Sequence, residues 1–280
     1  MRPSSLSITS RRRRASARWA AVALAVSIAL SATGATATGI TNLGKPTNDL
    51  STDLFPLSGF HHSAFNAVAG GKAKLVFVGT QGDGASAVER WPVVKALDQF
   101  GTLSNVQPST SGTGTIPFFV PIATFDWSHA RYRSSYATFV HVDTTGASGH
   151  PLQRLSGIAK ALYDRYVRPL SAQARFNNWP IVAVGNYVQT FSRNMTEGSL
   201  VRTVFPTPGT PVEGNMHVPL SFSDAQQALI QGKDPPNMQT VENINGEANV
   251  ITALICHSDG KKPSSVCNRP TIKGILKEVK

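Results

Sequence analysis

The sequence predicts an α/β domain, and a strand–turn–helix pattern followed by a second buried strand carries that prediction. The apolar run at residues 74–78 has the length and the β-branched content of a buried strand. A glycine-rich turn follows, and apolar side chains then recur at every third position of residues 85–100, as in a helix. Residues 180–186 form a second run that is typical of a buried strand. Strands that alternate with helices indicate a sheet with helices packed on it.

The remaining elements follow from the same patterns. Residues 116–127, interrupted by two prolines, and residues 136–142 are expected to be strands. Residues 105–114 are polar and predict a loop, and residues 187–191 are expected to turn back beside the second buried strand. Further helices are predicted at residues 61–68, 152–167 and 241–256, and at 221–230 with Ser221 or Ser223 as the cap.

Residues 1–37 have the features of an export signal. A run of basic residues precedes an apolar stretch at residues 19–32, and the Ala-x-Ala pattern at residues 35–37 fits a cleavage site. The alternative is an uncleaved signal-anchor, which would associate the chain with the membrane through residues 19–40. Either interpretation puts the remainder outside the cytoplasm, secreted or anchored on the outer face of the cytoplasmic membrane. Residues 38–58 are rich in small and polar side chains and predict a linker.

The distribution of charge argues against a nucleic-acid-binding protein. The formal net charge is +11, but residues 1–37 carry six arginines and no acid, which leaves +5 for residues 38–280. Residues 256–280 alone contribute +4, so the middle of the chain is almost neutral. No broad basic surface is therefore expected, and nucleic acid is not expected as a partner. The two cysteines of the chain are too few for an all-cysteine zinc site.

The glycine-rich turn invites a phosphate-binding interpretation that its details do not support. Gly79 and Gly84 have P-loop spacing, but Ala85 stands where that motif needs a lysine for the phosphates. The glycine spacing also differs from that of a dinucleotide-binding fingerprint, and no acidic residue ends a strand about 20 residues further on. A plain strand-to-helix turn is the default interpretation.

Several segments of the chain together resemble a known family. The sequence K-L-V-F-V-G-T at residues 74–80 is followed by A-V-E-R-W-P at residues 87–92 and by L-D-Q-F-G-T at residues 97–102. Residues 179–186 read W-P-I-V-A-V-G-N, and residues 248–256 read A-N-V-I-T-A-L-I-C. These segments resemble the thioredoxin-like family catalogued as domain of unknown function 929. The matching positions are Gly79, Ala87, Glu89, Arg90 and Trp91, with Pro263 and Cys267 in its closing P-x-x-x-C.

The resemblance implies a thioredoxin-like domain at residues 59–268, with a mixed central sheet, flanking helices and extra helices, and a basic tail at residues 269–280. In register with the family, Asp83 and Ser86 occupy its two Cys-x-x-Cys positions, and Pro180 matches the cis-proline that faces the active site in thioredoxin folds. Aspartate and serine cannot form or exchange a disulfide, so the thiol–disulfide cycle would be lost. The carboxylate of Asp83 can instead accept N–H bonds from the first turn of the following helix.

The two cysteines predict a disulfide. Cys256 and Cys267 would close a short loop, and outside the cytoplasm such a pair is expected to be oxidised, with a contribution of roughly 3 kcal/mol from loop closure. The alternative is a redox pair that transfers its disulfide to a substrate, although no basic side chain or helix end is positioned to activate either thiol.

Other candidate sites are weaker. His61 and His62 could begin a metal site, but adjacent histidines point apart and no acidic partner is spaced nearby, so no metal and no cofactor are expected. Asp83 with Glu89 could form an acid–base pair, yet their spacing puts them on different faces of a helix, where solvated side chains are expected. The chain also lacks the G-x-S-x-G pattern of many serine hydrolases.

These observations favour an exported or cell-envelope protein with a non-catalytic role. In this interpretation the groove beside Asp83, Ser86 and Pro180 binds a polypeptide or an envelope protein without disulfide chemistry. The alternative is an enzyme, either a thiol–disulfide oxidoreductase that uses Cys256 and Cys267 or one with a different chemistry at Asp83. In a third interpretation the groove has lost its role, and the protein is mainly structural.

Overall fold

The computed structural model describes Leu43 and residues 56–69, 71–111, 123–171, 179–190, 222–232 and 240–280. The predicted signal and most of the predicted linker lie outside these described residues, as does the membrane-associating stretch 19–40. Among the helices that are described, none combines the length and the apolar content that a bilayer crossing requires.

The described chain begins with a short 3-10 helix, Pro56–Gly59. The strands, in chain order, are β1 (His61–Ala69), β2 (Lys72–Gly79), β3 (Gly101–Ser104), β4 (Gln107–Thr110), β5 (Ala123–Asp126), β6 (Arg131–Ser134), β7 (Ala137–Asp143) and β8 (Ile181–Thr190). The helices are α1 (Gly84–Leu97), α2 (Gly157–Tyr166), α3 (Arg168–Ser171), α4 (Phe222–Gln231), α5 (Thr240–Ser258), α6 (Ser264–Cys267) and α7 (Pro270–Leu276).

A mixed four-stranded sheet forms the centre of the fold, in the order β1-β8-β2-β7. Strand β2 pairs with β7 in parallel and with β8 in antiparallel orientation. Strand β1 pairs with β8 and meets β2 in a hairpin. Two further strand pairs, β3 with β6 and β4 with β5, form separate two-stranded ribbons. The predicted central mixed sheet flanked by helices is therefore present.

Both faces of the central sheet are covered, which explains the continuous apolar run of β2. Alternate side chains of a strand point to opposite faces, so Leu75 and Phe77 join the core that contains α1 and α5. Val76 and Val78 join a second core on the other face, beneath α2. A strand buried on both faces reads as an unbroken apolar run, and this is the pattern that predicted β2.

Helix α1 is buried on every side. All 14 of its residues are buried, including the charged Glu89, Arg90 and Lys95. The helix packs against α5, β5 and β3, and the ring of Trp91 lies against Phe125 and Phe222. The sequence predicted a helix with one apolar face, whereas the structure leaves no face of α1 for solvent. Each charged side chain of α1 therefore needs a partner inside the protein.

Three sequence predictions about elements are wrong. Residues 61–68 form strand β1 and not a helix, because pairing with β8 and a hairpin through Gly71 (φ 74°) outweigh the local pattern. Of the segment predicted to turn back at 187–191, residues 187–190 instead continue β8, and β1 already occupies its outer side. The predicted loop at 105–114 contains β4, which pairs with β5.

The C-terminal region is packed helix and carries the predicted disulfide. Cys256 in α5 and Cys267 in α6 are bonded, which confirms the pairing predicted from the sequence. Most of the segment described above as a basic tail forms α7, and its Ile272 and Ile275 are buried against the core. Its last residue is also attached, because the hydroxyl of Tyr187 donates to the carbonyl of Lys280 at 2.7 Å.

Candidate functional site

The turn between β2 and α1 is the centre of the candidate site. Strand β2 ends at Gly79, and α1 begins at Gly84. Residues 80–83 are partly exposed, whereas the strand before them and the helix after them are buried. The turn lies at the carboxyl end of the parallel pair β2 and β7, the end at which α/β sheets bind their ligands.

Asp83 caps helix α1. Its Oδ2 accepts a hydrogen bond from the N–H of Ser86 at 2.7 Å, and its backbone is extended, as an N-cap requires. Burial raises the pKa of Asp83, while the bond from Ser86 and the charge of Arg90 act in the opposite direction. The carboxylate therefore does the capping task that the sequence predicted for it.

Ser86 is buried and faces inward. Its Oγ accepts a hydrogen bond from the N–H of Thr80 at 3.3 Å, so it ties the first turn of α1 to the end of β2. A Cβ atom added to Gly79 would lie 2.8 Å from this Oγ and 2.7 Å from the ring of Phe77. Glycine is therefore needed at residue 79, because the serine and the phenylalanine fill the space beside it.

Pro180 lies next to the same turn. Antiparallel pairing joins Val78 to Ile181, so Pro180, one residue before Ile181, lies beside Gly79. The Trp179–Pro180 peptide bond is cis, as the resemblance implied, and both residues are buried. The structure thus brings together the three residues that the sequence singled out: Asp83, Ser86 and Pro180.

A buried ion pair between Arg90 and Asp143 fixes the turn from inside the protein, and the sequence did not reveal it. Arg90 Nη2 lies 2.6 Å from Asp143 Oδ1, and both side chains are fully buried. The same nitrogen donates to the carbonyl of Thr80 at 2.9 Å, and the guanidinium lies over the rings of Phe77 and Trp127. One signal could have suggested the pair. Asp143 directly follows the predicted strand 136–142, and parallel strands end at the same edge of a sheet, so its carboxylate is expected near the turn.

Backbone and amide contacts fix the turn from the side. The N–H of Gln81 donates to the carbonyl of Thr145 at 2.9 Å, and its Nε2 donates to Asp126 Oδ1 at 2.8 Å. Thr144 donates from its N–H to the carbonyl of Gly79. The turn is therefore anchored to β5 and to the segment after β7, which makes it a preformed surface.

A second polar cluster lies inside the core, between α1, α5 and β8. Glu89 and Glu247 approach each other there, and Gln189 Nε2 donates to Glu247 Oε1 at 2.5 Å. Burial raises the pKa of both carboxyl groups, and for Glu89 the charge of Glu247 raises it further. The expectation that Glu89 is a solvated side chain is wrong, because α5 covers this side of α1.

The two histidines considered for a metal site point apart. His61 lies edge-on to Tyr166, whereas His62 lies edge-on to Tyr187 and 2.7 Å from the amide of Asn186. In the part of the chain that the structure describes, no group of His, Cys, Asp and Glu side chains is arranged to hold a metal ion.

Residues 59–257 match a protein family described as Domain of unknown function (DUF929). The chain belongs to this family. No curated protein and no solved structure matches the chain. The part matched to DUF929 contains the turn, the Arg90–Asp143 pair, the Glu89–Glu247 pair and Pro180, so all of these features lie within the DUF929 domain. Cys267 lies beyond the matched range, although its partner Cys256 lies inside it.

Proposed function

We propose that this DUF929 protein is an exported or cell-envelope protein with a thioredoxin-like fold, whose groove beside Asp83, Ser86 and Pro180 binds a polypeptide without disulfide chemistry. The strand–turn–helix unit of β2 and α1, the mixed sheet and the proline at the start of β8 support the thioredoxin-like fold. The basic and apolar pattern of residues 1–37 supports export.

One observation carries this proposal. Pro180 lies beside Gly79, where the turn begins, and the turn ends at Asp83, which caps α1. The two segments thereby lie side by side at the end of the sheet where ligands bind in α/β folds. The turn between them is partly exposed and anchored by Arg90 and Gln81, so a partner would meet a surface that needs no rearrangement.

The chemistry of the two central side chains favours binding over catalysis. Asp83 accepts the bond that caps α1, and Ser86 Oγ is buried and accepts from Thr80. Neither a carboxylate nor a hydroxyl can carry out the thiolate attack on which disulfide exchange depends. The groove keeps the architecture that positions a polypeptide while it lacks the atoms that would react with one.

The alternative, an oxidoreductase that uses Cys256 and Cys267, draws little support from the geometry. Cys256 is 0% and Cys267 1% exposed, and both belong to the main hydrophobic core. An incoming thiolate needs access to one sulfur, so burial favours a structural bond. An insulin-reduction assay separates the two functions, since turnover that disappears in Cys256→Ser would support the oxidoreductase and contradict the binding proposal.

A capture experiment with the full-length chain tests the groove directly. Immobilised wild type and Asp83→Lys are incubated with envelope extract, and the bound proteins are compared by quantitative mass spectrometry. We expect the lysine to abolish the capture of those partners that occupy the groove, because it reverses the charge at the end of the turn. Glu242→Lys is the matched control, since Glu242 is an exposed acid in the first turn of α5.

The control variant should capture the same partners as the wild type. Identical partner sets for Asp83→Lys and the wild type would overturn the proposal and favour a mainly structural protein. Circular dichroism of both variants separates a binding effect from misfolding, because loss of the Asp83 cap alone costs only about 1 kcal/mol.

A further inference from the structure

Strand β7 forms one edge of the central sheet. It pairs with β2 on one side, and in the described part of the chain no strand pairs with its other side. Two side chains cover the ends of this free edge. Ser134 Oγ accepts from the N–H of Ala137, and Gln153 Oε1 accepts from the N–H of Asp143 at 2.7 Å.

The covered ends reveal where the remaining backbone groups point. The N–H groups of a strand alternate between its two sides. Those of Phe139 and His141 therefore point away from β2, as those of Ala137 and Asp143 do. The next residue after Asp143, Thr144, donates its N–H to the carbonyl of Gly79 on the β2 side, which agrees with this alternation. The free edge therefore presents the N–H and C=O groups of Phe139 and His141 away from the sheet.

A shallow, open cavity of about 500 Å³ lies against this stretch of the edge. Residues 139–141 of β7 form one part of its wall, and residues 128–131 and Gln153 form the rest. Arg131 and His129 are exposed at its rim, and no acidic residue occurs among the described residues that line it. Burial lowers the pKa of His141, so the fixed positive charge of the cavity is that of Arg131.

Aromatic rings line the cavity, so it can also contact the apolar part of a ligand's side chain. Phe139, His141 and Trp127 lie against one another, with ring centroids 5.3 Å apart for Phe139 and His141 and 6.0 Å apart for Trp127 and His141. The nearby Asp126 carboxylate already accepts hydrogen bonds from Gln81 and Ser128, and Asp143 is paired with Arg90. Among the described residues that line the cavity itself, the permanent charge is the positive one of Arg131.

We propose that the edge of β7 at Phe139–His141 binds an extended acidic peptide of a partner protein, which adds to the sheet as a strand and places a carboxylate beside Arg131. The backbone groups of the edge supply hydrogen bonds, and the cavity supplies the selectivity for an acidic side chain, as in other cases of strand addition. This surface is separate from the groove beside Pro180.

The probe for the test is a fluorescent, end-blocked peptide of alternating glutamate and valine, which is measured by fluorescence anisotropy with the full-length chain. We expect saturable binding that weakens at least about tenfold in Arg131→Glu, since one favourable charge contact becomes repulsive. Hydrogen exchange should slow at Phe139 and His141 when the peptide is bound. Asp83→Lys should bind the probe like the wild type, so this result is independent of the function proposed above.

Two controls make the outcome decisive. Arg133→Glu changes an exposed arginine two residues further along β6 that does not line the cavity, and it should leave the affinity almost unchanged. A peptide with proline at its centre should not bind, because it cannot complete the backbone bonds. Absence of binding by the glutamate–valine peptide, equal loss in both arginine variants, or undiminished binding of the proline peptide would each overturn the proposal.

Discussion

Glu89 and Arg90 are neighbours in α1, but they meet different partners. Arg90 faces the end of β7 and pairs with the carboxylate of Asp143. Glu89 faces α5 and meets a second carboxyl group, that of Glu247, with Gln189 beside it. In the first pair the opposite charges of the two side chains neutralise each other. In the second, two negative charges would repel, so burial favours the form in which a carboxyl group keeps its proton. The second pair therefore links folding to the binding of a proton.

The Glu89–Glu247 pair predicts that stability falls at higher pH. An unfolded glutamate releases its proton near pH 4.5, while the raised pKa of the folded pair retains it, so the folded state binds more protons above that pH. The free energy of unfolding should therefore decrease as the pH rises above 4.5 and through the raised pKa. Urea unfolding between about pH 5 and pH 8 measures this slope.

Glu89→Gln should make that slope shallower, because the variant keeps the size of the side chain but removes one proton-binding group. The matched control is Glu242→Gln, which changes an exposed glutamate of the same α5 that bears Glu247. Equal slopes for Glu89→Gln and the wild type would show that the pair does not bind an extra proton in the folded state.

The Arg90–Asp143 pair predicts a large loss of stability when one partner is removed. Asp143→Asn leaves the guanidinium buried without a counter-charge, and such changes lower the free energy of unfolding by about 3–5 kcal/mol. Urea denaturation provides the measurement. Asp164→Asn removes a partly exposed carboxylate that pairs with Lys160 and Arg168 on the surface, and it should leave the midpoint almost unchanged. Similar midpoints for the two variants would contradict the role assigned to the buried pair.

At the level of elements, the sequence predicts best where local pattern and tertiary environment agree. Strand β2 and helix α5 have apolar patterns that their burial explains, and both lie close to their predicted positions. Strand β1 was predicted as a helix because its identity depends on pairing with β8, which is more than 100 residues away in the chain. Local patterns carry no signal of such pairing.

The disulfide joins two elements, α5 and α6, and its removal tests how it stabilises them. Cys256→Ala/Cys267→Ala should lower the free energy of unfolding by about 3 kcal/mol, since the bond closes a loop with a sequence separation of 11. Urea denaturation of the variant and of the reduced wild type should give the same loss. Unchanged stability in both samples would mean that packing of α6 and α7 against α5 is sufficient without the bond.

For the candidate site, the sequence singled out residues but not the contacts that fix them. Asp83, Ser86 and Pro180 were identified from the resemblance, and they do lie around one turn. Asp143 and Glu247 were missed, because an acid in a single sequence does not reveal whether it is solvated or buried. Only the assembled molecule, in which α1 is covered on every side, requires these acids to act as internal partners.

The whole molecule depends on contacts between distant parts of the chain. Helix α1 is enclosed by strands that follow it closely and by α5, which begins at Thr240. The core around α1 is therefore incomplete until residues 240–280 are present. A protein that ends before α5 would expose the apolar surface of α1 and is expected to aggregate.

The burial of α1 beneath α5 also has a consequence for how the protein reaches its final state. Before α5 docks, Glu89 and Glu247 are both in water, and at neutral pH both are ionised. Because the docked pair holds a proton, docking must take one up from the surroundings. Docking of α5 is thus a proton-consuming reaction, and the acidity of the compartment in which the chain folds sets how readily it occurs.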